Sequence, residues 1–326
     1  MNLRSRIMMA RLRLLLGAGL ICCVAEGEGL ATTAVRPVTT PFIRGSDALS
    51  HMRVDPKGRF LAYVGDSGLG LYMVDLKSKG IFQVSGGQIG ASFVWSPDGY
   101  RLLYREQSVA ADGQISSEVK AYDAALAKSV SLDKLSYPTG FLTLDPRDLR
   151  LQLLGPQGIH TKRIYFPGQR LARWQIAQRN ENGKFLATQQ GMLWETQAGF
   201  ALRRLDDDQS GVESFVISPE GGSVAWATKA GRVYISKGGK TPRLIGHGRD
   251  PRWHPDKPML IYSGARMVGN TVIGYDLRLA DEDGAGRFLT STQFVDERWP
   301  QWHPRGHQII YTIAKTTDIF LLDFTP

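Results

Sequence analysis

The string Phe93 to Tyr104 (FVWSPDGYRLLY) constrains the fold more than any other part of the chain. An apolar run enters Ser96-Pro97-Asp98-Gly99, and a second, nearly all-apolar run leaves it. Proline presets φ at the first central position of a turn, Asp98 tolerates the bend, and Gly99 can take a positive φ. The string therefore reads as a hairpin whose second strand, Leu102 to Tyr104, is buried on both faces. One hairpin is marginal alone. This one recurs, with marker prolines at 56, 97, 146, 219, 255 and 304. The gap of 73 between the third and fourth markers holds two units, so the mean period is about 41.

Seven related units follow from this spacing. The first runs from Met52 through Val54-Asp55-Pro56 to Phe60-Leu61-Ala62-Tyr63, then Gly70 to Asp75 and Phe82-Gln83-Val84. The second is the opening string followed by Glu118 to Asp123. The third, from Phe141 through Asp145-Pro146, is degenerate. The fourth starts at Trp174-Gln175-Ile176, lacks the proline and keeps Asn182-Gly183-Lys184-Phe185-Leu186-Ala187. The fifth carries Ser218-Pro219-Glu220-Gly221, the sixth Trp253-His254-Pro255-Asp256 and the seventh Trp302-His303-Pro304-Arg305-Gly306. A period near 40 with four short strands per unit predicts an all-β fold, a β-propeller of seven four-stranded blades, with six as the alternative. Each unit cannot bury its faces alone, so the blades must stack. Ser117 to Lys134 is alanine-rich and able to form a short helix, but the repeat alignment makes Val119 to Tyr122 a strand. The seventh unit ends without a fourth strand. Val38-Thr39-Thr40, with Phe42 and Ile43 beyond, is expected to pair with Ile319 to Phe324 and close the ring.

Residues 1–31 read as a secretory signal peptide, with cleavage after Ala25 or Ala31, leaving 32–326 as a single propeller domain. Arg4, Arg6, Arg11 and Arg13 form a basic start, and Leu14 to Val24 is an apolar run too short to anchor in a bilayer. The earlier cut removes four Arg and no acid, taking the formal charge from +9 to +5; the later cut also removes Glu26 and Glu28, leaving +7. A mildly basic domain of this kind is not a nucleic-acid binder by charge. Both cysteines, Cys22 and Cys23, lie in the leader, so the mature chain has no disulfide and needs none at this size. Leu20-Ile21-Cys22-Cys23 also faintly matches a lipoprotein box, which would anchor the protein through Cys23. Export to the periplasm or beyond, as a monomer with no transmembrane segment, is the expectation.

The repeats resemble those of TolB-type propellers, the WD-repeat-like modules of bacterial envelope proteins. Trp95-Ser96-Pro97-Asp98-Gly99, Ser218-Pro219-Glu220-Gly221, Trp253-His254-Pro255-Asp256 and Trp302-His303-Pro304-Arg305-Gly306 carry the resemblance, over residues 38–326. Strands ending in Asp75, Asp123, Asp276 and Asp323 fit the third strand of that repeat. The resemblance implies a propeller; such repeats serve scaffolds, gating domains and polysaccharide lyases alike. TolB itself is similar to an α/β domain followed by six blades. Here about twenty residues separate the leader from the first repeat, which implies a propeller alone.

Several motifs invite sharper readings. Gly65-Asp66-Ser67-Gly68 matches a serine-protease string, but it falls in a turn between strands with nothing else of that family around it. His254 and His303 share the position before proline, where Asp55, Ser96, Asp145 and Ser218 stand elsewhere. Turn hydrogen bonding explains them, and a shared metal with His307 is the alternative. Oligogalacturonate lyases use a related propeller and a metal-binding histidine cluster, whose ligands have no match here. Asp206-Asp207-Asp208 and Asp281-Glu282-Asp283-Gly284 lack the spacing and terminal Glu of a calcium hand, so no metal or cofactor is expected. From Arg147 to Arg179 seven basic residues face one acid, Asp148. Arg147, Arg150, Arg163, Arg170, Arg173 and Arg179 are the candidate surface for an anionic partner, an envelope protein or an acidic glycan; the alternative is a solvated edge.

No convergent catalytic set, nucleophile elbow or phosphate loop is present. The chain reads as a non-enzymatic interaction scaffold of the cell envelope. The alternative is a glycan lyase or hydrolase, or a carbohydrate-binding module, working at the channel mouth. A buried cluster of His, Glu and Arg at one rim would favour the enzyme; an apolar or merely basic rim favours the scaffold.

Overall fold

In the computed structural model the described proline turns form by the expected chemistry. The structure describes residues 43–44, 49–65, 67–135, 142–145, 150–155, 158–163, 175–176, 185–189, 192–196, 202–205, 209–238 and 240–324. At the second unit Gly99 N–H donates to Ser96 O at 2.8 Å and sits at φ 69°. The Ser96 hydroxyl donates to Asp98 and accepts from Arg101 N–H, which fixes both sides of the bend. Asp55 does the same work in unit one, accepting from Arg59 and Phe60 N–H, and Ser218 in unit five accepts from Ser223 N–H.

All regular structure among the described residues is β, in antiparallel pairs. Unit one is Leu49–Val54, Phe60–Gly65, Leu69–Asp75 and Ile81–Gln88, hydrogen-bonded in that order. Unit two is Phe93–Trp95, Arg101–Val109, Ile115–Asp123 and Lys128–Leu135, so Val119 to Tyr122 is strand, as the repeat alignment predicts, and Ala124, Ala125 and Ala127 lie in the turn that follows. Leu102, Leu103 and Tyr104 are all buried. Asp75 and Asp123 end third strands and cap the next turn, each accepting two N–H groups. Asp276 does not end its strand. Thr271–Asp281 continues five residues past it, and Asp276 is buried against Arg266 and Thr292.

The expected first strand of the fourth unit is also corrected. Gln175–Ile176 pairs with Gly158–Arg163 as the outer strand of the third sheet, with His160 opposite Ile176. The proline turn that would pair such a strand with Phe185–Gln189 is missing from the sequence of this unit. The fourth sheet holds Phe185–Gln189, Met192–Thr196 and Leu202–Arg204.

Apolar layers lie between units. Met73, Phe93, Trp95 and Leu102 fill the layer between units one and two. Ala225, Ile235, Trp253 and Leu260 fill that between five and six, and Ile261, Leu277, Trp302 and Ile309 that between six and seven. Each tryptophan two residues before a marker proline also donates its indole N–H backwards. Trp95 reaches Arg53 O, Trp253 reaches Val216 O and Trp302 reaches Arg252 O, at 3.0, 3.3 and 3.2 Å. A hydrogen bond of this kind contributes about 1 kcal/mol net.

The ring closes on both sides of the termini. Met52, Leu61 and Tyr63 of unit one pack with Trp299, Ile310 and Ile319 of unit seven. Ile43–Arg44 is the fourth strand of the last sheet, with Ile43 opposite Ile319 and Arg44 opposite Asp318. Closure by an N-terminal strand is as the sequence predicts, but on residues 43–44; Val38 to Thr40 lie outside the described residues. Antiparallel units stacked face to face in a closed ring make a β-propeller.

Candidate functional site at the channel mouth

Antiparallel order sets two ends. The proline turns and the third-to-fourth-strand turns lie at one; the second-to-third-strand hairpins and the starts of the first strands lie at the other. The candidate site sits towards this second end, on the innermost strands of units five, six, seven and one.

These four strands share a defect. Two residues oppose one at His51-Met52, Asp250-Pro251 and Trp299-Pro300, and unit five has a register shift between Val212 and Ser214. His51, Asp250 and Trp299 take φ of 50°, 58° and 55°. Such bulges turn the strand and re-aim its side chains. Here they gather Glu213, Arg249, Asp250, Arg252, Arg298, Trp299, His51 and Arg53.

Two arginines in this group are ion-paired. Arg298 lies 3.2 Å from the fully buried Asp250, and Arg249 lies 3.2 Å from Glu213. Asp250 also accepts from Trp299 N–H and the Ser263 hydroxyl, so one carboxylate ties unit six to unit seven. The Arg298 guanidinium stands over Tyr275 and Trp299. Burial, then the charge of Asp250, raises the carboxyl pKa of Glu213, with Arg249 and Arg298 opposing. The His51 ring lies against that of Trp299, tilted, with centroids 4.3 Å apart. Its pKa falls to about 4, first because it is desolvated, with Arg252, Arg53 and Arg298 adding repulsion against the pull of Asp250. It is neutral at physiological pH.

The other two arginines have no carboxylate within ion-pair distance among the described residues. Arg252 is 8% exposed, with Nη1 on Pro251 O at 2.7 Å and Nε without a hydrogen-bond partner. Arg53 is half-buried, stands over the Phe93 ring and also has an unpartnered Nε. Burial lowers the Arg53 pKa to about 9, Arg252 adding to the shift, and that of Arg252 to about 10, Asp250 opposing. Both stay cationic at neutral pH.

No described candidate read from the sequence lies in this cluster. Arg150 and Arg163 are register partners on adjacent strands of the third sheet, at the proline-turn end. Their side chains, and Arg147, Arg170, Arg173 and Arg179 entirely, lie outside the described residues. His254 and His303 are turn residues, accepting from Asp256 and Arg305 N–H through Nδ1. Their Nε2 atoms reach into the next unit. His254 meets Gly306 O at 3.1 Å, and the His303 ring packs on Gly58, joining unit seven to unit one. His303 and His307 rings are 5.6 Å apart, and no group of three metal-ligating side chains occurs among the described residues. In the protease-like string, the Ser67 hydroxyl accepts from Leu69 N–H within its turn; Asp66 lies outside the described residues. Glu282 pairs with Lys237 at 2.5 Å and accepts from Ser223, and Asp281 accepts from Ala285 N–H, so that loop is a capped turn.

Sequence reading missed the channel cluster. The signal is a column in the repeat: Arg53 and Arg252 stand three residues before their prolines, Arg249 and Arg298 six before theirs. At the first column the other marked units have Val94, Thr143, Val216 and Gln301.

No protein-family model matches the chain, and no curated protein matches it. Among solved structures, it is similar to the β-propeller domain of Cps50 (Swd1) from Myceliophteria thermophila. That match has a TM-score of 0.55 at 16% identity and covers 86% of this chain and 98% of that one. It is also similar to a chain of the mitotic checkpoint complex, at a TM-score of 0.58 and 12% identity, covering 93% and 99%. At such identities the likeness establishes the architecture alone: the chain folds as a WD-repeat-like β-propeller.

Proposed function

We propose that the protein is a TolB-type propeller of seven blades, exported to the periplasm or beyond, that acts as a non-enzymatic interaction scaffold of the cell envelope. The observation that carries this reading is the apolar hairpin end. Two hairpins there are long, Arg101–Val109 with Ile115–Asp123 and Met259–Val268 with Thr271–Asp281. Their tips expose Val109, Ile115, Val268, Val272 and Ile273, and Phe294 beside unit seven is 98% exposed. Apolar groups raised around a channel mouth suit a protein partner more than a solvated rim. The seven-unit repeat, the basic apolar leader and the repeat resemblance support the rest. No helix of the described residues is long and apolar enough to cross a membrane.

Chemical cross-linking of the tagged mature protein in an envelope fraction tests this. Val268→Asp with Ile273→Asp should remove the specific cross-linked species. Unchanged cross-links would return the hairpins to ordinary surface.

The basic stretch is a second contact under the same proposal. Reversing Arg163, Arg170 and Arg173 to Glu should weaken partner binding, and wild-type binding should fall with salt. Equal binding by the triple variant removes that contact.

The rim cluster of His51, Glu213 and the arginines favours the alternative, a glycan-acting enzyme or carbohydrate-binding module. Against turnover, both carboxylates of that cluster are held by arginine, at 3.2 Å each. Product release from acidic oligosaccharides incubated with the protein would decide for the enzyme.

A further inference from the structure

We propose that Arg53 and Arg252, with Gln301 between them, form an oxyanion-binding site in the channel, taking one carboxylate or phosphate group of a ligand. The three residues hold the same repeat position on the first strands of units one, six and seven, which the ring makes neighbours. The fold does not require charge there: Val94 and Val216 fill the position in units two and five. Nor do the local acids account for it. Asp250 is within 3.2 Å of Arg298 and Glu213 within 3.2 Å of Arg249, while neither Arg53 nor Arg252 is in an ion pair among the described residues.

A buried guanidinium without a counter-ion destabilises the empty protein. An anion entering from the hairpin end would remove that penalty. Guanidinium forks suit carboxylate and phosphate oxygens, to which they can donate two parallel N–H bonds. The free Nε atoms of Arg53 and Arg252 are donors available for such bonds. Gln301 is buried with its amide donating to Pro300 O at 2.8 Å. Arg252 makes the same backward bond to Pro251 O, so two adjacent units present similarly folded-back donors. The site goes beyond the scaffold reading and does not depend on docking at the hairpin tips.

The test uses the intact mature protein with inorganic phosphate and, separately, succinate, against sodium chloride at matched ionic strength. Calorimetric titration and thermal melting are the readouts. At least one anion should bind saturably and raise the melting midpoint where chloride does not. Phosphate alone would identify a phosphate ester as the ligand group, succinate alone a carboxylate. Arg53→Gln and Arg252→Gln should each weaken binding by about tenfold or more, as loss of a charge-assisted pair does. The double variant should lose binding yet melt, without anion, at or above the wild-type temperature, since it buries one fewer unpaired charge at each position. Arg53→Lys, which keeps the charge and loses the fork, should also bind more weakly and serves if the double variant does not fold. Val268→Asp with Ile273→Asp should bind the anion as wild type does, so failure of the scaffold reading and failure of this one are separable. No binding above chloride for either anion overturns the proposal. So does wild-type affinity in the Arg53 and Arg252 variants.

Discussion

Replacing Glu297 by Gln should remove the pH dependence of stability that this buried carboxyl imposes. Glu297 begins the first strand of unit seven and is 2% exposed. It accepts from Leu277 N–H at 3.0 Å and from the Thr290 and Thr292 hydroxyls, with the buried Asp276 sharing Thr292. Burial raises its pKa from 4.5 to about 7; the Thr290 hydrogen bond opposes the shift and the charge of Asp276 adds to it. The folded state therefore keeps a proton that the unfolded chain releases near 4.5. Stability from this group is present below that value and is lost as pH rises through 7. A shift of this size corresponds to about 3 kcal/mol lost between pH 4.5 and 8. Gln keeps the shape and an accepting oxygen but carries no proton to lose. At pH 8 the variant should be more stable than wild type by about 2 kcal/mol, after allowing about 1 kcal/mol for one impaired hydrogen bond. At pH 4.5 it should be level or slightly weaker. Urea unfolding of both proteins at pH 4.5, 6 and 8 gives the difference, in which titrating groups not coupled to Glu297 cancel. A difference that stays flat across these pH values refutes the reasoning.

His51 should act in the opposite sense. Its folded pKa of about 4 lies below 6.5, so stability falls as pH drops through that window, and His51→Gln should flatten the acid limb of the melting profile. Gly306→Ala should destabilise by about 2 kcal/mol, because φ there is 72° and a Cβ would lie 2.5 Å from His254 Cε1; an unchanged urea midpoint would sink this. Deleting residues 32–44 should lower the melting temperature and promote aggregation by uncovering Asp318–Asp323, as light scattering would detect. N-terminal sequencing of exported protein should start at Glu26 or Thr32; a cytoplasmic protein starting at Met1 would remove the export reading.

The architecture was legible because it rests on backbone chemistry that repeats. Pro97, Asp98 and Gly99 specify a turn by their own torsions and hydrogen bonds, wherever the chain goes next. Ring closure was legible as a requirement, since Asp318–Asp323 would otherwise be a bare edge. Its register was not: Val38 to Thr40 and Phe42 to Ile43 are equally β-prone, and pairing through Ile43 is decided by the partner strand. The Trp174 to Ile176 segment misled for a related reason. A Trp-Gln-Ile triplet, with apolar residues alternating about a polar one, fits an inner or an outer strand, and only the turn before Phe185, which lacks proline, could have distinguished them. The site was missed because sequence density drew attention to Arg147 to Arg179, whereas the channel arginines stand one per unit or two, far apart along the chain. His51, Asp250 and Trp299 gave no warning either, as none is a glycine and each nonetheless has positive φ.

That last feature bears on why the mouth has its form. A non-glycine residue in the left-handed region costs roughly 1 kcal/mol, and three neighbouring first strands accept it at the same position. Ring formation does not demand it. In unit two Phe93, Val94 and Trp95 pair with Tyr104, Leu103 and Leu102 in unbroken register, and Trp95 still makes its backward hydrogen bond. The bulges are held where they occur by contacts that the bulges themselves create. Asp250 receives Trp299 N–H, Arg298 and Ser263, and His51 lies against Trp299. The same units that bear this strain also bear the unpaired Arg53 and Arg252, a second departure that weakens the empty fold. Two destabilising features that coincide on units one and six, and are absent from unit two, are what a binding site shaped at the expense of stability produces. Unit two, with Val94 at the arginine position and no reversed φ on its first strand, is the unmodified blade against which the mouth stands out.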